Sequence, residues 1–171
     1  MKTVGIIEFN SIPCGVENLD KVLKKSNIEV YKAGVTCPGK YYFIIYGDNE
    51  DIKIAFENVH GQVKFEIISG VSNKLIEILE RKNKKELGNS IGVVEFFTIS
   101  ESVKALDMIL KSNNIEGLKL VLGSGIAGKS YFVITGDVSS VTEAVRSIEG
   151  KIRYKESSVI NNPDENIIKF I

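Results

Sequence analysis

The chain contains one sequence pattern twice. Residues 4–9 (Val-Gly-Ile-Ile-Glu-Phe) return as residues 91–96 (Ile-Gly-Val-Val-Glu-Phe), and residues 39–48 return as residues 128–137. Self-similarity along a whole chain indicates a duplicated domain. Because two fused copies carry one pseudo-twofold relation, a ring built from them contains half as many chains as domains. We predict a first domain at residues 1–86 and a second at residues 88–171.

The two copies differ in length in one loop. The offset between matched residues rises from 87 (Val4 and Ile91) to 89 (Gly39 and Gly128), so the second copy holds two extra residues in the stretch from Gly117 to Gly128. Divergence between the copies is therefore concentrated in this loop.

Hydrophobic spacing predicts the same order of elements in both copies, β-α-β-β-α-β followed by a closing helix. The predicted strands of the first copy are residues 3–9, 28–35, 41–46 and 63–68. In the second copy the last strand is predicted at residues 152–159, and Ile167, Ile168 and Phe170 can cover a core edge. This order is typical of a ferredoxin-like α+β fold, with an antiparallel sheet and both helices on one face. The other face of each sheet must meet something else.

Composition excludes several classes of function. Lys plus Arg equals Asp plus Glu, 22 each, whereas nucleic-acid-binding proteins usually carry a clustered basic surplus. No apolar stretch reaches the length of about 18 residues that a membrane span needs, and the chain opens directly into a strand pattern without a signal peptide. Two cysteines are too few for a disulfide framework. We therefore expect a cytosolic protein with no nucleic-acid or membrane partner.

The residues do not assemble into a catalytic pattern. His60, the single histidine, lies at a predicted turn with no serine or cysteine nucleophile nearby. Glu8 and Glu95 occupy equivalent strand positions, so duplication explains the pair, and a shared structural role such as a hydrogen bond to a loop is favoured over acid–base work. The glycine-rich residues 123–129 lack P-loop spacing and lead into a strand instead of a helix. We predict that the chain is not an enzyme.

The repeated unit resembles the bacterial microcompartment shell domain. The resemblance rests on Gly-Ile-Ile-Glu in the first strand, on Leu-Lys before Ser-Asn-Ile after the first helix, and on the Gly-Lys-Tyr-Tyr-Phe and Gly-Lys-Ser-Tyr-Phe strands that close on Gly-Asp. It implies a homotrimer that forms a pseudohexameric tile, contacts other shell proteins and is located in the compartment shell. It also places Lys24 and Lys111 at the tile edge. The implied pore-lining residues are Thr36, Pro38, Gly39, Lys40, Gly123, Ser124 and Gly125.

The Thr-Cys-Pro-Gly-Lys loop at residues 36–40 narrows the resemblance. It is similar to the pore loop of the iron–sulfur tandem shell proteins of propanediol-utilisation compartments, whose pore holds a 4Fe-4S cluster. The resemblance implies Cys37 as the metal ligand, with one cluster per trimer on the threefold axis. Three symmetry-related thiolates can bind three irons of a cubane, and the fourth iron takes another ligand or solvent. Cys14 stands where the second copy has Glu101 and is interpreted as a buried or helix-capping thiol.

The sequence is compatible with three hypotheses for the function of the chain. The leading hypothesis is a structural tile whose cluster passes electrons across the shell or is delivered inside, with an enclosed redox enzyme as a further partner. The alternative is a gated open pore for metabolites, with no cluster. A third hypothesis is a duplicated regulatory domain that binds a small effector. The sequence departs from the resemblance at residues 160–164. It reads Ile-Asn-Asn-Pro-Asp there, whereas the related shell proteins have a proline-arginine-proline stretch that helps tile contacts. The resemblance therefore does not assign the strength or the partners of the tile contacts at these residues.

Overall fold

Both copies of the repeat fold into the predicted order of elements. The computed structural model describes residues 2–83, 86–123 and 125–171. The elements of the first copy are β1 Thr3–Phe9, α1 Ile12–Lys25, β2 Glu29–Thr36, β3 Lys40–Gly47, α2 Asn49–Glu57, β4 Lys64–Ser69 and α3 Asn73–Leu79. Those of the second are β5 Ser90–Phe96, α4 Ile99–Ser112, β6 Ile115–Leu122, β7 Ser130–Gly136, α5 Val138–Arg146, β8 Glu156–Asn161 and a 3-10 helix Glu165–Lys169.

Each copy contains one four-stranded sheet, and the two sheets share one topology. The strand orders are β2-β3-β1-β4 and β6-β7-β5-β8, and all pairs are antiparallel. The register shift between Val30 and Lys32 in β2 recurs in β6 between Gly117 and Lys119. Sharing even this irregularity supports the duplication, and an antiparallel sheet with helices in each copy confirms the α+β fold class.

Local sequence explains where the two long helices begin. Ser11 precedes α1 and its hydroxyl accepts a hydrogen bond from the Cys14 amide, with proline in the first turn. Thr98 precedes α4 and accepts in the same way from the Glu101 amide. Such caps satisfy amides that have no partner inside the helix. Cys14 therefore lies in the first turn of α1, as interpreted from the sequence.

In the second copy, the sheet face opposite the helices is covered by residues at the two ends of the copy. Ile91, Leu118 and Val133 form a buried cluster that Leu87, Ile167 and Ile171 pack against. The prediction that Ile167 covers a core edge is confirmed. The prediction for Phe170 is wrong, because 83% of this residue is exposed.

The last strand lies later than the sequence predicted. Its expected span was residues 152–159, whereas β8 runs Glu156–Asn161. Gly150 has a φ of 72°, and the amides of Lys151 and Ile152 both donate to the Ile148 carbonyl, so the chain still turns after α5. Arg153 then lies over the ring of Phe97. The pairing of β8 with β5 therefore begins only at Glu156.

Packing divides the chain differently from the repeat pattern. One compact unit comprises Met1–Val71 with Gly123–Gly128, and the other comprises Ser72–Leu122 with Lys129–Ile171. In the second unit, α3 contacts β6 and α4. The Lys74 ammonium donates to the Ile115 carbonyl at 2.8 Å, and the Asp107 carboxylate accepts from the Ser72 amide at 2.8 Å. The boundaries at residues 86 and 88 stay a prediction about the repeats.

Candidate functional site

Cys37 lies at the tip of a tight turn between two paired strands. Thr36 at the end of β2 pairs with Lys40 at the start of β3, so only three residues connect the strands. The Cys37–Pro38 peptide is cis, and Gly39 has a φ of 73°, a left-handed conformation that favours glycine. The Cys37 thiol is exposed and forms no disulfide. This turn holds the cysteine outside the sheet, where it can meet a ligand.

The longer loop of the second copy packs against the Cys37 turn. The Thr36 hydroxyl is buried and donates to the Gly123 carbonyl at 2.7 Å. Gly128 has a φ of 76°, and a Cβ at this position would lie 2.3 Å from the Cys37 carbonyl oxygen. Such a separation is far inside van der Waals contact, so only glycine fits. Ser124 falls outside the described residues.

A metal centre at Cys37 needs ligands from more than one chain. Among residues 2–83, 86–123 and 125–171, no group of three or more His, Cys, Asp or Glu side chains could hold a metal ion. A single exposed thiol at the tip of a turn does suit a cluster shared around a symmetry axis, because thiolate is the ligand that iron–sulfur clusters require. The donor chemistry of Cys37 therefore fits the cluster that the resemblance implies.

The second thiol has local partners. Cys14 Sγ donates to the His60 carbonyl at 3.5 Å, and Asn18 Nδ2 lies 3.4 Å from the same sulfur. Asn18 is buried, accepts from the His60 amide and donates to the His60 carbonyl. His60 thus serves through its backbone at an exposed turn. The sequence analysis did not single out Asn18. The available signal was a difference between the copies, because the equivalent residue of the second copy is Ala105.

The two predicted edge lysines have different surroundings. Lys24 pairs with Asp20 at 2.6 Å, and both side chains are exposed. Lys111 pairs with Asp107, whose side chain is only 3% exposed and also accepts from the Ser72 amide. Lys111 therefore has a structural role inside its own chain in addition to any role at an edge. The edge and pore-lining assignments concern an assembly of chains and stay predictions.

Glu95 holds the strand that follows the longer loop. Its carboxylate accepts from Lys129 and from Lys155, each at 2.8 Å. These hydrogen bonds, first that of Lys129 and then that of Lys155, hold the pKa of Glu95 below its ordinary value of 4.5. Lys129 directly follows Gly128, so the ion pairs secure the end of the loop. This is the structural use of the carboxylate that the sequence favoured.

Comparison with known proteins agrees with this architecture. The family model described as the BMC domain matches residues 3–77 and again residues 90–163. The chain therefore belongs to the BMC-domain family of bacterial microcompartment shell proteins, as a tandem-domain member. The microcompartment shell is accordingly its location. No helix in the described parts of the chain is long and apolar enough to cross a membrane.

Individual relatives cover nearly the whole chain. The bacterial microcompartment shell protein PduT of Citrobacter freundii is 27% identical over 97% of this chain and 95% of its own length. A crystal structure of a microcompartment protein from Desulfitobacterium hafniense DCB has a TM-score of 0.88 at 27% identity and covers 99% of both chains. A double-ringed trimeric shell protein of the RMM microcompartment has a TM-score of 0.64 at 14% identity, covering 86% of this chain and 80% of its own, and this supports the fold alone.

Proposed function

We propose that three copies of the chain form a pseudohexameric shell tile in which the three Cys37 thiolates bind one 4Fe-4S cluster on the threefold axis. The observation that carries this proposal is the exposed Cys37 thiol at the tip of a turn that a second loop buttresses. Other shell proteins are the partners at the tile edge, and an enclosed redox enzyme is a partner at the pore. The chain itself has a structural role, as a shell tile. The bound cluster either passes electrons across the shell or is delivered to the interior.

Unequal burial of the two copies supports a ring of chains. Helix α4 is largely buried, and α3 contacts both α4 and β6. The equivalent α1 and β2 expose Val16, Leu23 and Val35, each about half-exposed. Exposed apolar positions whose equivalents in the other copy are buried indicate a surface that a second chain covers. Because that surface lies on one copy only, each chain offers it once, as a ring requires.

The chain's own residues determine what the axis can hold. Three Cys37 thiolates supply three of the four iron ligands, which leaves one iron for solvent or a non-cysteine ligand. Gly39 has open space where a Cβ would lie, so its backbone remains accessible to a group on the axis. Backbone amides near a cluster can donate to its sulfur atoms and tune its potential. The bound group would supply one-electron chemistry.

Iron content tests the proposal directly. Protein purified and reconstituted without oxygen is compared with Cys37→Ser and with the matched control Cys14→Ser. We expect iron, acid-labile sulfide and visible charge-transfer absorbance in the wild type and in Cys14→Ser, and none in Cys37→Ser. Native mass spectrometry should show a trimer for all three. The absorbance should bleach in air, because an iron without a cysteine ligand is open to solvent.

The opposite result favours the metabolite pore. If the wild type binds no more iron than Cys37→Ser while both remain trimers, the axis is an open channel lined by the same loops. A dimer or monomer in native mass spectra would contradict the tile itself. The two measurements therefore separate the cluster from the assembly.

A further inference from the structure

We propose that Gly128 and Thr36 are positioning residues for Cys37, so that the loop of the second copy sets the position of the thiol carried by the first. The inference deepens the proposed function, since the positioned thiol is the proposed cluster ligand. It assigns a purpose to the one loop in which the two copies differ in length.

The Gly128 contact is a packing constraint on the cysteine itself. A Cβ at residue 128 would lie 2.3 Å from the Cys37 carbonyl oxygen and 3.7 Å from the Lys40 side chain. The clashing Cys37 oxygen belongs to the backbone, which cannot move aside as the end of a flexible side chain can. Any side chain at residue 128 must therefore displace the Cys37 peptide or the loop, and the thiol moves with the peptide.

The Thr36 hydrogen bond restrains the turn from its other side. The hydroxyl is buried and donates to the Gly123 carbonyl, at the start of the same loop. Removing the hydroxyl leaves that carbonyl without this donor in a buried place, which is unfavourable. Thr36 and Gly128 thus secure the Cys37 turn against both ends of the Gly123–Gly128 loop.

Position matters for a shared cluster more than for a single ligand. Three thiolates must reach one cubane at once, so a displacement in each chain is repeated three times around the axis. Binding sites of this kind tolerate misplacement of only about 0.5 Å before function suffers. A small shift of the Cys37 peptide should therefore reduce cluster binding while the sheets and helices remain intact.

Matched glycine substitutions test the packing constraint. Gly128→Ala is compared with Gly150→Ala, which has the same left-handed backbone (φ 72°) but open space around the added Cβ. In a Cys14→Ser background, the first readout is the alkylation rate of Cys37 in iron-free protein. The second is iron bound per trimer after reconstitution. We expect Gly128→Ala to remain trimeric, to change the alkylation rate severalfold and to lose most of its iron, whereas Gly150→Ala matches the wild type.

Two substitutions of Thr36 provide a second test if Gly128→Ala fails to fold. Thr36→Val removes the hydroxyl at nearly constant volume, and Thr36→Ser retains it. We expect altered alkylation and reduced iron for Thr36→Val and recovery of both for Thr36→Ser. Equal behaviour of Gly128→Ala and Gly150→Ala, or of Thr36→Val and Thr36→Ser, would overturn the inference. Because alkylation is measured without iron, a wild type that binds no cluster defeats the proposed function and still leaves the positioning to be decided.

Discussion

The first helix of each copy begins in the same way and ends in a different environment. Both α1 and α4 span 14 residues and have a hydroxyl cap. Yet Leu23 in α1 is 52% exposed, whereas the equivalent Leu110 in α4 is 6% exposed. In the second unit α3 contacts α4. Burial of a repeated residue is therefore determined by its neighbours in space, and equivalent residues can serve folding in one copy and assembly in the other.

The loops between the second and third strands of the two copies also differ in the features that they carry. The shorter loop carries the thiol, and the longer loop carries the glycine that allows close approach to the Cys37 carbonyl. Neither loop contains both features. In the proposed site, duplication followed by divergence has thus distributed the thiol and its packing partner over two copies, which a ring of identical single domains cannot do.

The largest effect should come from truncating the buried leucine. Leu110→Ala should lower the free energy of unfolding by about 2 to 4 kcal/mol, because it leaves a cavity at a buried position. Its equivalent, Leu23→Ala, should matter only through association. Urea unfolding at several protein concentrations checks this: the loss for Leu110→Ala should not vary with concentration, and any loss for Leu23→Ala should. Equal, concentration-independent losses would contradict the comparison.

Replacing the two lysines separates folding from tiling. Lys111→Met should lower the free energy of unfolding by roughly 1 to 2 kcal/mol, because it leaves the buried Asp107 carboxylate with fewer partners. Lys24→Met, which breaks an exposed pair, should cost less than about 0.5 kcal/mol. Lys24→Asp is therefore the cleaner test of the tile edge, and electron microscopy should show trimers without extended sheets. Extended sheets of normal size for Lys24→Asp would contradict the assignment of Lys24 to the tile edge.

Acid should weaken the ion pairs at the end of the longer loop. Because the folded-state pKa of Glu95 lies below 4.5, its stabilisation is present above that pH and is lost as the pH falls through the folded-state value. Glu95→Gln should lower the free energy of unfolding by about 1 kcal/mol at pH 7, and this loss should shrink progressively as the pH falls below 4.5. Urea unfolding over a series of pH values from 7 downwards measures this. A loss that does not change with pH would point to packing instead of charge.

The smallest effect should come from the cap of α5. Asp137 accepts hydrogen bonds from Ser139 and Ser140, whereas the equivalent Asp48 makes no side-chain bond to the start of α2. Bonding, first from the Ser139 hydroxyl, lowers the pKa of Asp137 from 3.8 to about 2. Asp137→Ala should reduce Tm by roughly 2 °C, and Asp48→Ala should reduce it less. This difference should disappear as the pH falls from 3.8 through about 2.

Most of the fold was predictable because the duplicated sequence carries each secondary-structure pattern in both copies. The β-branched, apolar run of β1 and the helical spacing in α1 are local signals, and the second copy repeats them in β5 and α4. The start of β8 was misplaced because apolar residues in a turn resemble a strand when only the spacing is seen. The role of Cys37 stays a prediction that the resemblance of its turn implies, whereas Asn18 carried no pattern in the sequence, since a buried amide is recognisable only by its partners.

The amino-acid sequence alone determined the duplication, the α+β class of each copy, the loop that differs in length and the turn that carries Cys37. Those properties depend on residues close together in the chain, where apolar strand runs, helix caps and turn residues act. Tertiary structure alone decided that α3 packs with the second unit, that Lys111 meets a buried carboxylate and that Gly128 lies against the Cys37 carbonyl. Such contacts join residues far apart in the chain, and their energies depend on distances that no local pattern encodes.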